Sequence, residues 1–481
     1  MTNTLVDIPN TKISSTRIEH DFLGEREISN DLYYGIQTMR ALENFNITGT
    51  KISSEPLFVK AFAYIKKAAA LANAELGVLN PEIAHYIGLA CDKIIRGEFI
   101  DQFPSDFMQG GAGTSCNMNA NEVIANIALE LMGRSKGEYE YCHPNNHVNC
   151  SQSTNDVYPT AIKLALYRKL DEYTKSLTDL RESFAAKGNE FKRVLKMGRT
   201  QLQDAVPMSL GDEFKSWGST IDDEISLLRS SKRLLLGINM GATAIGTKVN
   251  APEGYTEIVT QILAEESGVP VFTAPDLIEA TVDTGEFVQL SASLKRTAIK
   301  ISKICNDLRL LSSGPRTGLN EINLPQLQPG SSIMPGKVNP VIPEVVNQTA
   351  FYVIGADLTI SIAAEAGQLQ LNVMEPVIAF SLFNMISYMN NACVTLKDKC
   401  IDGITANEEH CRNLVMNSVG IVTLLNPILG YETCAAVAKE ALKTGKSVYE
   451  IVVTQNKYIS DEKWEELYSF ENLINPRYIK K

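Results

Sequence analysis

Between Pro159 and Leu195 the chain places apolar side chains at Ile162, Leu166, Leu170, Tyr173, Leu177, Leu180, Phe184 and Phe191. Steps of three and four residues gather such positions on one face of an α-helix. At 1.5 Å per residue that helix is roughly 55 Å long. Its one internal glycine, Gly188, counts as a mild cost and not a break. A second run follows Pro207, with Ser209 as the expected N-cap, Asp212 three residues on, and Phe214, Trp217, Ile221, Ile225 and Leu228 continuing the stripe. A third stripe holds Phe287, Leu290, Leu294, Ala298, Ile301, Cys305 and Leu308. Two more helical stretches, about Ile342–Ala364 and Pro376–Lys399, flank "EAGQLQLNVMEP". Helices of this length with heptad-like stripes predict an elongated bundle. The third also carries Val288, Ile299 and Ile304 off its stripe, so association of subunits is expected.

The 481 residues, 44% hydrophobic and 21% charged, have the composition of a soluble globular protein. No stretch approaches the roughly 18–20 apolar residues that cross a bilayer. The start, "MTNTLVDIPNTKISS", lacks a basic head followed by an apolar run, so no secretory signal is expected and cytoplasmic residence is the default. Nine scattered cysteines without a CxxC pair fit reduced thiols. A net charge of −11 argues against nucleic acid, whose phosphates need basic surfaces. An anionic substrate would require local positive charge and hydrogen-bond donors against that field. The pattern divides the chain into a mixed, mainly helical segment at 1–155, a long-helix segment at 156–406 and a small helical segment at 407–481.

Four polar stretches interrupt the helices: "QGGAGTSCNMNANE" at 109–122, "NHVNCSQSTND" at 146–156, "MGRTQLQDAVP" at 197–207 and "PGSSIMPGKVNPVIPE" at 329–344. Together they supply Thr114, Ser115, Ser153, Thr154, Asn155, Thr200, Gln201, Ser331, Ser332, Lys337 and Asn339. Neutral donors with one cation suit carboxylate binding. "GGAGTS" lacks the Gly-Lys-Ser/Thr ending of a phosphate loop. Ser153 and Thr154, taken alone, fit helix capping better than catalysis. Cys142, His143, His147 and Cys150 suggest zinc, but their spacing matches no common site. Five histidines, of which these stretches hold only His147, leave little room for a Ser-His-Asp triad. The fourth stretch is different. A linker does not need two serines followed six residues later by Lys337, and its glycines and prolines keep it irregular.

"GSSIMPGKVNP" resembles the shared motif of the aspartase/fumarase superfamily, and "GAGTSCNMNANE", "CSQSTND" and "GRTQLQDAVP" resemble its other blocks. The likeness runs from "EHDFLGEREIS" at residue 19 to "NLINPRY" at residue 472. Within the superfamily, Gln201 in place of histidine, the continuation "VIPEVVNQ" and the segment "GQLQLNVMEPV" are similar to the aspartate-deaminating branch. Argininosuccinate and adenylosuccinate lyases, with Gln-Lys-Lys-Asn-Pro in the loop, are less alike. "GATAIGTKVN" departs from the family pattern, with Lys248 where a glycine is usual.

The resemblance implies a predominantly all-α, three-domain fold with a central five-helix bundle, twenty helices forming the core of a homotetramer. It implies reversible anti-elimination of ammonia from L-aspartate to give fumarate, with class II fumarase as the alternative reaction and a non-catalytic paralogue as the remoter one. Ser331 matches the catalytic base. Thr114, Ser153, Thr154 and Ser332 match the positions holding the side-chain carboxylate; Thr200, Lys337 and Asn339 match those at the α-carboxylate; Asn155 and Gln201 match those near the amino group. The serine loop, "SQSTND" and "GRTQLQDA" would come from three different subunits. No cofactor is required by this reading. Activation by a divalent metal such as Mg2+ occurs in some family members, and no carboxylate cluster marks its site here.

Overall fold

A computed structural model describes residues 15–475; the segment before Thr16 lies almost wholly outside it. The described residues are mostly helical, with four two-stranded sheets. It forms two compact units. One contains the described residues up to Glu172 together with Leu228–Leu294 and Gly355–Ser387; the other contains Tyr173–Leu227, Lys295–Ile354 and the described residues from Tyr388 on.

The first unit opens with an antiparallel hairpin, Thr16–Asp21 against Gly24–Ser29. Helices α1 (Pro56–Glu75), α2 (Pro81–Ile95) and α3 (Thr114–Leu131) follow. Their 20, 15 and 18 residues make this part mainly helical, as expected, though none of the three helices was placed from the sequence. The reason is visible in α1 and α3. α1 is rich in alanine, α3 mixes asparagines with apolar residues, and both are buried on most sides, so no apolar stripe stands out in the sequence. Phe58 on α1 anchors the core, with the rings of Phe62, Phe107, Tyr158 and Phe383 at centroid distances of 5.0 to 6.1 Å.

The five long helices are present: α4 (Thr154–Glu190), α5 (Leu210–Leu234), α6 (Gly285–Leu311), α7 (Val341–Glu365) and α8 (Glu375–Lys399). α4 ends before Leu195, which belongs to strand β1 (Leu195–Thr200), paired with β2 (Gln203–Ser209). Ser209 caps α5 as expected, its Oγ accepting the Gly211 N–H at 3.0 Å. Gly188 does more than tolerate a helix. A Cβ on Gly211 would lie 2.4 Å from the Gly188 carbonyl oxygen, and one on Gly188 would lie 3.0 Å from that of Gly211. Two glycines thus let backbones touch. Beside them Phe184, Phe191 and Trp217 pack on Phe214.

α7 begins at Val341, one residue before the expected start, with Pro343 in its first turn, where the missing N–H costs nothing. It also carries exposed apolar surface, as the sequence suggested for α6. Of the off-stripe residues of α6, Ile299 is 48% exposed, Val288 is partly buried and Ile304 is buried. On α7, Phe351, Leu358 and Ile362 are 60%, 63% and 60% exposed, with Val345 and Tyr352 beside them. Contrary to the sequence expectation, two helices, Val341–Glu365 and Glu375–Gly403, are long and apolar enough to cross a membrane by length and composition. Over half of the second one's apolar window, 56%, is buried inside the protein, as in a core helix.

Lys248 occupies a left-handed backbone position, φ +60°, which explains why a glycine suits this place. Its side chain is half-exposed and makes only a 3.8 Å ion pair with Glu257, an interaction of little worth at a surface. Lys248→Gly therefore relieves about 1 kcal/mol of backbone strain, partly offset by unfolded-state entropy. We expect a small rise in the thermal midpoint; a fall would show that the ion pair outweighs the strain.

Candidate active site

In the first unit, the glycine-rich turn leads into α3, and Gly111 and Gly113 both adopt φ +90°. Gly113 has no alternative. A Cβ there would lie 2.2 Å from the buried Tyr158 ring. Thr114 is the first residue of α3, exposed, with its Oγ1 2.7 Å from the Gly111 carbonyl. Asn117, one turn on, donates from Nδ2 to Thr154 Oγ1 at 3.1 Å, so the starts of α3 and α4 lie side by side. Helix N-termini favour anions.

The capping expected of the "STND" run is also real. Ser153 Oγ accepts the Asn155 N–H at 3.2 Å, and Asp156 Oδ1 accepts the Ser153 N–H at 3.0 Å. The other Asp156 oxygen accepts N–H groups from Gly241 and Thr243 at 3.1 and 3.0 Å. Burial pushes the Asp156 carboxyl up to about 7, against the pull of these N–H groups and of Lys66. Asn155 spends its amide on the Ala244 carbonyl at 2.7 Å. In this arrangement it braces the site.

In the second unit, the β1–β2 hairpin turns at Gln201 and Leu202, φ +54° and +61°, the left-handed pair of a tight two-residue turn. Thr200 and Gln201 stand exposed at its tip. Below the tip, Glu321 is fully buried and takes Arg199 at 2.6 Å and Lys196 at 3.2 Å; Lys196 also reaches Glu213 at 2.5 Å. The loop 329–340 is irregular as expected, and it is closed at its neck. Gly330 N–H donates to the Lys337 carbonyl at 2.7 Å and Asn339 Nδ2 to the Gly330 carbonyl at 2.8 Å. Within the loop, Ser331 Oγ accepts N–H groups from Ile333 and Met334 at 3.2 and 3.0 Å. Ser332 and Lys337 are exposed. A cavity of about 650 Å³ lies beside the loop, lined by Arg309, Ser313, Asn320, Lys337 and Asn339 among others. Among the described residues no hydrogen bond links Thr200 or Gln201 to the loop.

The structure thus gathers Thr114, Ser153, Thr154 and Asn155 in one unit. It gathers Ser331, Ser332, Lys337 and Asn339 in the other, which also carries Thr200 and Gln201. Zinc is not supported by the histidines. His143 Nδ1 already accepts two backbone N–H groups and His147 Nδ1 one, and among the described residues no group of three metal-ligating side chains converges. Sequence reasoning missed Lys66, Asn149, Asn121 and Asn117, which form a polar network beneath Thr154. The i, i+4 spacing of Asn117 and Asn121 was a legible signal. A lone lysine on an alanine-rich helix gave none.

The sequence profile described as "Lyase" matches residues 24–355, and that of the "Fumarase C C-terminus" matches residues 421–475. The chain belongs to this lyase family and is an enzyme. Curated relatives narrow the comparison. The aspartate ammonia-lyase of Pseudomonas aeruginosa is 57% identical over 468 residues, 97% of this chain and 98% of that one. Those of Helicobacter pylori and Escherichia coli are 55% and 54% identical, each covering 97% of this chain, and 99% and 97% of their own. Among solved structures, a fumarate lyase:delta crystallin from Brucella melitensis matches with TM-score 0.93 and 49% identity, covering 95% of this chain and 99% of that one. A class II fumarase from Schistosoma mansoni matches with TM-score 0.90 and 33% identity, covering 96% and 100%.

Gly113 is the tightest steric point of the first donor group. Gly113→Ala combines a left-handed backbone with overpacking against Tyr158, which together cost about 2–4 kcal/mol. We expect a clear fall in the thermal midpoint and, in the protein that remains folded, weakened turnover because Thr114 is the next residue. An unchanged midpoint would mean that the Tyr158 ring can swing aside.

Proposed function

We propose that the protein catalyses the reversible anti-elimination of ammonia from L-aspartate, giving fumarate. The relatives carry that activity in their name, and the residues present suit its hard step. A proton must leave the carbon next to the side-chain carboxylate, and the electron pair it leaves behind spreads into that carboxylate as a doubly charged aci-form. Donors aimed at those oxygens bind this intermediate more strongly than the substrate, and so lower the barrier. Thr114, Ser153, Thr154 and Ser332 fill that role in our reading. Thr200, Lys337 and Asn339 hold the α-carboxylate, and Asn155 and Gln201 border the amino group.

Ser331 is the base. The observation that carries this is the pair of N–H groups from Ile333 and Met334 aimed at its Oγ. Hydrogen bonds donated to the anionic form favour ionisation, so the loop is built to tolerate an alkoxide, with Lys337 adding positive charge. Closure of the loop over substrate excludes water and strengthens these contacts. Gln201 has no proton to give as an acid, and ammonia departs without a strong protein acid. No cofactor takes part in these steps; we carry activation by Mg2+ as a proposal without assigned ligands. The working form is a cytoplasmic homotetramer in which copies cover the exposed face of α7, and three chains supply the serine loop, the 151–156 stretch and the 198–205 stretch of each site.

Absorbance at the fumarate band, with L-aspartate and separately with L-malate, tests the reading. Growth with aspartate alone is expected, lowered about 10³-fold by Ser331→Ala. Growth with malate alone would make the protein a fumarase. No growth with either, in a folded oligomer, would make it non-catalytic.

A further inference from the structure

The Lys66 ammonium is wholly buried under the first donor group. It donates to Asn149 Oδ1 and Gln152 Oε1, both at 2.9 Å. Burial pulls its pKa down to about 7, and the Asp156 carboxylate opposes that fall. Charged or neutral, the amine keeps enough N–H groups for both oxygens. A lysine nitrogen facing an amide can only fix that amide's oxygen toward itself while it acts as a donor.

The consequence propagates. With its oxygen fixed toward Lys66, Asn149 Oδ1 also receives Asn117 Nδ2 and Asn121 Nδ2, each at 3.1 Å. Turning either amide over would set oxygen against oxygen. The nitrogen of Asn117 must therefore face inward, even though its own buried Oδ1 finds no partner among the described residues. The second proton of that nitrogen goes to Thr154 Oγ1 at 3.1 Å. Thr154 is thereby an acceptor on its inner side. Its one hydroxyl proton has no acceptor among the described residues and is left to point outward.

We propose that Asn117 is a positioning residue, pinned by Lys66 through Asn149, that fixes the Thr154 hydroxyl as a donor to the carboxylate of the ligand. This rests on the reading of Thr154 as a carboxylate-binding group. An unpinned hydroxyl can point its proton inward or outward and loses part of its value in the transition state. A pinned one is pre-oriented, which is where the strength of such donors lies. The relay also brings a buried cation into the design of a site whose exposed groups on this unit are neutral.

The test is a cycle read by kcat and KM on the assembled enzyme, with thermal midpoint and oligomer mass as fold controls. Thr154→Val is expected to lower kcat about 10²-fold, the usual cost of one such donor. Asn117→Asp keeps the shape but replaces a donor with an acceptor, turning the Thr154 proton inward; Asn117→Leu removes the donor without adding charge. Both are expected to lower kcat, the first about as much as Thr154→Val and the second about 10-fold, with KM little changed. In the Thr154→Val background neither is expected to cost more than about threefold further. Equal losses in both backgrounds would overturn the proposal, because charge or fold would then be acting without Thr154. Full activity in both Asn117 variants would overturn it as well. Full activity in Thr154→Val would overturn the reading of the site, and this inference with it. Lys66→Met probes the far end of the relay and is expected to behave like Asn117→Leu. If it fails to fold, the Asn117 variants decide.

Discussion

The surface of α7 is the constraint from which much else follows. Its Phe351, Leu358 and Ile362 are mostly exposed in the single chain, on a helix of 25 residues. Exposed apolar area of this kind is costly in water and favours association. A second copy of the same chain, bringing the same helix, offers a matching surface by symmetry. In the proposed oligomer, where the long helices are shared between copies, residues at their ends would come from several chains. The placement of every candidate group at a helix start, a hairpin tip or a loop beside a helix start fits that logic.

The chemistry sets a second demand. A chain of net charge −11 that handles a dicarboxylate must concentrate donors locally. Few exposed cations do this here. Main-chain N–H groups hold Ser331 Oγ, hydroxyls sit at the first turns of α3 and α4, and Lys66 works from below through amides. Oriented neutral donors cost nothing to rearrange as charge moves from substrate to intermediate, which suits a reaction run in both directions.

Much of this was legible in the sequence. The stripes beginning at Ile162, Phe214 and Phe287 gave three long helices because each is amphipathic and period counting detects that contrast. α1 and α3 were not legible, since helices buried on most sides, one rich in alanine and one in asparagine, show little contrast. The start of α7 was legible to within one residue, because Pro343 falls in its first turn, where a proline is helix-compatible. For the proposed site, hydroxyl-rich stretches pointed to Thr114, Thr154 and Ser331. Lys66 stayed hidden because its role depends on Asn149, more than eighty residues away, and pairings at that separation leave no local pattern.

The central claim is that one site needs donors from one chain and the serine from another. It is tested most directly by mixing two variants that each retain about a hundredth of the activity or less, Thr154→Val and Ser331→Ala, and letting their subunits re-associate. If the Thr154 group and the serine loop of one site come from different chains, hybrid tetramers contain some sites with both native residues, and up to about a quarter of wild-type activity returns. If each site lies within one chain, every site keeps one defect. Mixtures with confirmed subunit exchange and no recovered activity would contradict the account.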